Sequence, residues 1–205
     1  FFLLLFWLRL IILISRGLII IVLPLYGLTY LLGQITFHYS IITISSIIMG
    51  FSLFNYTVRK IPEDKANTHI YVSDLIRHSL LISLIVLIVG IVISVMEKNI
   101  YFSQFAIIIS LQYITLEFGR ILNSIEKQIE SVLINLIRES LWIYIILFII
   151  LMYKSVDFSY VFWFWTISSI VSLLYGFLLL RNFIKLNILL RFSKKWYINT
   201  FIKTK

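Results

Sequence analysis

A chain of 205 residues that is 61% hydrophobic and 13% charged, with a mean hydropathy of +1.03, holds more apolar surface than a soluble core can absorb. Its net charge of +9 falls between hydrophobic blocks rather than along one polar face, which makes membrane lipids the expected neighbours and argues against nucleic acid. The lack of cysteine is compatible with any compartment.

The apolar blocks run to about 20 residues, the length a helix needs to cross the hydrocarbon. They predict an all-α fold with six transmembrane helices, at 1–23, 29–53, 79–96, 100–118, 132–152 and 158–180. The first block starts at Phe1, with neither Met nor a basic leader, so the chain reads as a piece of a longer protein. Span one is expected to stop at Pro24, where Leu23-Pro24-Leu25-Tyr26-Gly27 has the composition of a turn. Residues 55–78, with Arg59, Lys60, Lys65 and Arg77, read as a long polar loop. Short connections follow spans three and five, at 97–99 and 153–157, and force antiparallel neighbours. In 117–131, Ile121, Ile125 and Ile129 keep a helical rhythm among charges, so spans four and five are expected to continue as helices into the cytoplasm. At the outer end of span six, Tyr160, Trp163 and Trp165 are expected at the headgroup level.

Orientation follows from the basic residues. Fourteen lie in 55–78, 117–139 and 181–205, while only Lys98 and Lys154 occupy the other side, which places both ends of the chain in the cytoplasm. The expected organisation is a bundle over 1–181 followed by a basic cytoplasmic linker over 182–205.

No P-loop, His-Glu-x-x-His or Gly-x-Ser-x-Gly signature is present, and His38, His69 and His78 are scattered, so no cofactor, metal or catalytic residue is expected. Arg9 and Arg16 stand out instead. They are two helical turns apart on one face of span one, both are expected to point into one cavity, and an arginine at mid-bilayer opposes insertion by about 2.5 to 3.5 kcal/mol. The alternative for each is snorkelling to the interface. Glu117 and Arg120, three apart in span four, can face a ligand or neutralise each other. Arg138 and Glu139 fall just inside span five, where partial burial favours a pairing role, and Trp142 reads as an interface anchor.

Three stretches carry a family resemblance: Pro24-Leu-Tyr-Gly-Leu28, then Gly50-Phe-Ser-Leu-Phe-Asn-Tyr-Thr-Val-Arg-Lys60, then Glu117-Phe-Gly-Arg-Ile-Leu-Asn123 followed by Glu126, Asn135, Arg138 and Trp142. In order and spacing, over about 16–180, the chain resembles the O-antigen and polysaccharide flippases of the multidrug and oligosaccharidyl-lipid exporter superfamily. Leu25 and Phe51-Ser52 depart from acidic positions common in that family. The resemblance implies two six-helix bundles around a central cavity, of which this chain is the first. It also implies a location in the cell (cytoplasmic or inner) membrane and transport of an undecaprenyl-diphosphate-linked oligosaccharide for surface polysaccharide assembly, where other membrane proteins of that assembly can be further partners. Arg16 and Arg9, with Glu117 and Arg120, are then the expected substrate-binding residues, because a guanidinium fork matches phosphate oxygens.

The rivals are a multidrug exporter of the same superfamily, an integral-membrane enzyme handling lipid-linked sugars, and a small structural membrane subunit. The exporter would want a buried acid in the first spans, and spans one to three contain none apart from Glu97 at a boundary.

Overall fold

The computed structural model describes residues 2–50 and 60–184, without the side chain of Gly50. Six long helices follow one another: α1 (Phe2–Leu25), α2 (Thr29–Gly50), α3 (Thr68–Met96), α4 (Tyr101–Ser124), α5 (Gln128–Tyr153) and α6 (Phe158–Leu180). All six are long and apolar enough to cross a membrane, and the chain is a multi-pass α-helical membrane protein. The linker expected over 182–205 falls outside the described residues except for 182–184, as does most of the second resembling stretch, 51–59.

The helix stops are built from main-chain bonds. Leu28 N–H donates to Leu23 O and Gly27 N–H to Pro24 O, both at 2.9 Å, with Gly27 at φ 73°, so α1 runs one residue past Pro24 before it turns. The same 6→1 and 5→2 pattern ends α3, where Asn99 N–H reaches Ser94 O (3.0 Å), and α4, where Lys127 N–H reaches Leu122 O (2.8 Å). Helical structure on both sides of 119–130 meets the expectation for spans four and five, with only 125–127 as the turn between them.

Two expectations need correction. Residues 68–78 are not loop but the first three turns of α3, because Val72, Leu75 and Ile76 recur at helical spacing and pack on Ile121, Leu122 and Ile134. Asp74 therefore lies inside a helix, buried and paired with Arg77 at 2.6 Å, so an acid is present in the third span after all. At 29 residues α3 is about 43 Å long, more than the roughly 30 Å of hydrocarbon a span must cross, and Lys65 just before it meets Glu126 in the α4–α5 turn.

Helix α4 is the hub, packing on α2, α3, α5 and α6, while α1 lies mainly along α5. Lipid tails supply no hydrophobic force between helices, so contact depends on small side chains and interhelical hydrogen bonds. Gly90 of α3 lies directly against Ala106 of α4, and one turn or two along, Ser110 Oγ donates to Ser83 O at 3.2 Å. On α6, Ser168, Ser172 and Gly176 form a strip at four-residue spacing against α5: Ser168 bonds Ile137 O, Ser172 donates to Ile134 O at 3.0 Å, and Gly176 leaves room for Phe118 and Ile134.

Candidate functional site

Polar residues from five helices converge on one cleft. Arg16 comes from α1, Tyr39 and Thr43 from α2, Gln112 and Arg120 from α4, Arg138 and Glu139 from α5, and Trp165 from α6. Spacing puts them there: Tyr39 and Thr43 are four apart on α2, and Gln112, Leu116 and Arg120 repeat every four residues on α4. The cleft encloses about 360 Å³, within the usual range for small-molecule sites.

Glu139 is its centre. Arg16 Nη2 donates to Oε2 at 3.0 Å and Tyr39 O–H to the same oxygen at 2.6 Å. Oε1 accepts from Arg138 Nε at 2.9 Å and lies 2.7 Å from Arg138 Nη2. The Arg16 guanidinium also sits 5.3 Å from the centre of the Tyr39 ring, a cation–π distance. Tyr39 in turn stacks on Trp165, and Trp165 on Trp142, at 5.8 and 5.0 Å between centroids. Serine fastens the next residue of each helix: Ser15 Oγ donates to Ser140 Oγ at 2.9 Å, and both are fully buried.

Beside this network, Arg120 Nη1 donates to Glu117 Oε1 at 2.6 Å. Glu117 is buried and holds Arg120 from behind, leaving the guanidinium on the cleft wall. The charges are then three arginines against two glutamates, an excess of one positive charge within the span region. Moreover, Arg138 Nη1 is buried and has no hydrogen-bond partner among the described residues. A buried guanidinium N–H without an acceptor costs at least about 1 to 3 kcal/mol. The arrangement is suited to receiving oxygen anions.

Of the expected site residues, Arg16 and Arg120 share the cleft and Glu117 supports Arg120. Arg9 does not join them. It lines a separate groove with Phe6, Leu13 and Gln128, because seven residues carry it about 10 Å down the helix, beyond the cleft floor. Arg138, Glu139, Tyr39 and Gln112 were not among the expected ligands. The charged dipeptide Arg138-Glu139 inside an apolar run was the available signal for two of them; for Tyr39 and Gln112 nothing in the local sequence distinguishes them. Two aromatic expectations also change. Trp142 is 1% exposed and Trp165 2%, so neither anchors the bilayer surface; both stack in the core, while Tyr160 and Trp163 lie exposed on the outside of the bundle.

No family model matches the chain, and neither does any curated protein or solved structure.

Proposed function

We propose that this chain is the first six-helix bundle of a flippase that carries an undecaprenyl-diphosphate-linked oligosaccharide from the cytoplasmic to the outer leaflet for surface polysaccharide assembly, and that the cleft receives the diphosphate. The observation that carries the reading is the uncompensated positive charge of the Arg16, Arg120 and Arg138 cleft. A net positive charge among spanning helices opposes insertion, and the excess is accounted for if an anionic group must visit the cleft. Guanidinium forks suit phosphate oxygens, and a cleft of about 360 Å³ takes a headgroup while leaving the sugars outside it. The resemblance to polysaccharide flippases points to the same class of substrate. The cationic-drug reading is disfavoured, since Glu139, the one carboxylate on the cleft wall among the described residues, already answers two arginines, and the buried Asp74 lies outside the cleft and is paired with Arg77.

The test is Arg16→Ala in the complete protein. Surface polysaccharide should be lost and lipid-linked precursor should accumulate, at unchanged membrane abundance. Arg16→Lys should restore part of the export, because it supplies charge without the fork. Normal export by the alanine variant at normal abundance would remove the assignment.

A further inference from the structure

A carboxylate at the centre of an anion site repels its own ligand, so Glu139 requires a reason to be there. Its two oxygens are held unequally. Oε1 belongs to Arg138, the adjacent residue, through Nε and Nη2 at 2.9 and 2.7 Å, with both side chains nearly buried. Oε2 is held across helices, by Tyr39 O–H of α2 and by a single N–H of Arg16 on α1. The Arg16 side chain is 45% exposed against 9% for Glu139, so the α1 arm is the one an incoming group can reach.

We propose that Glu139 is a placeholder anion and that its bond to Arg16 is a latch between α1 and α5, opened by the phosphate-bearing group that enters the cleft. The proposal rests on the anion-binding reading above. An entering phosphate takes Arg16 first and, once that arm has swung off Glu139, can reach the buried Nη1 of Arg138, which has no partner among the described residues. Glu139 then keeps Nε and Nη2 of Arg138 and the Tyr39 hydroxyl, so no bare carboxylate is left in a medium where one is costly. One ion pair is exchanged for another and no covalent bond changes. What is lost is the electrostatic tie between α1 and α5, leaving the Ser15–Ser140 contact beside it as the remaining polar link at that level. The latch thus couples ligand arrival to freedom of α1, and ligand release to its return.

The test uses the complete protein in lipid nanodiscs with farnesyl diphosphate as probe. Glu139→Gln should bind it at least about tenfold more tightly, since a competing like charge is gone, while polysaccharide export in cells falls. A cysteine pair replacing Ser15 and Ser140 should cross-link readily without the probe and markedly more slowly at saturation. Equal or weaker binding by Glu139→Gln, or cross-linking indifferent to the probe, overturns the latch. If Glu139→Gln fails to insert, the cross-linking result decides. If Arg16→Ala and Arg138→Ala both bind the probe as the unmodified protein does, the anion-site reading itself fails, an outcome distinct from failure of the latch alone.

Discussion

Tyr39 does two things with one side chain. Its ring lies under the Arg16 guanidinium and against Trp165, and its hydroxyl donates to Glu139 at 2.6 Å. Tyr39→Phe separates the roles, since it keeps the ring and removes the O–H. A hydrogen bond to a buried charge contributes about 1.5 to 3 kcal/mol, and the phenylalanine variant should unfold several degrees lower in detergent while remaining inserted. An unchanged unfolding temperature would mean that Arg16 and Arg138 alone satisfy the carboxylate. Trp142 and Trp165 matter differently, through apolar contact and stacking: Trp165→Ala should cost about 3 to 5 kcal/mol by leaving a cavity beneath Tyr39. That loss should appear as reduced membrane abundance before any effect on transport.

The helices end on conformations that suit glycine, yet three of the four such positions among the described residues carry charged residues. Lys98, Glu126 and Lys154 have φ of 51, 65 and 58°, whereas Gly27 alone has the residue that favours φ 73°. A side chain in the left-handed region is strained by about 1 kcal/mol or more, so Lys98→Gly and Lys154→Gly should each raise stability by roughly 1 kcal/mol, read as a higher unfolding temperature. Little is lost with the side chain at Glu126, whose bond to Lys65 is exposed on both sides. Helix pairing imposes the opposite demand on Gly90. A Cβ there would come within 2.2 Å of Ala106 Cβ and 3.3 Å of Phe102 O, so Gly90→Ala should force α3 from α4 and destabilise the bundle by about 1 to 3 kcal/mol. Stability equal to that of the unmodified protein would show that the helices separate freely there.

At the scale of the molecule, six alternating helices gather the polar connections at two ends. Lys65 meets Glu126, and Lys127 lies 5.5 Å from the Phe183 ring centre, so the segments before α3, between α4 and α5 and after α6 share one end. Lys98 and Lys154 cap helices at the other. We propose, from the basic excess at the first end, that this end faces the cytoplasm. Single cysteines placed at 65, 98 and 154 should therefore react with an impermeant reagent from outside intact cells only at 98 and 154, and labelling at 65 would reverse the orientation.

Sequence alone sufficed for the membrane class and the six helices, because each span is a local property: about 20 apolar residues must bond their own backbone wherever lipid surrounds them. It also singled out Arg16, which lines the cleft, since an arginine deep in such a run is costly whatever its neighbours are. The Glu117–Arg120 pairing was legible too, as three residues along a helix bring those side chains together. It did not suffice for the start of α3, where Asp74 and Arg77 look like loop residues until burial and mutual pairing make them helix. Nor could it separate Arg9 from Arg16, which share a helix face but meet different neighbours along it. The cleft belongs to the tertiary structure: Arg16 and Glu139 are 123 residues apart, Tyr39 and Glu139 are 100, and what joins them is the packing of α1 against α5 and of α2 against α1 and α4. The excess positive charge that supports the functional proposal is likewise a sum over three helices, and becomes a property of one place only when they pack.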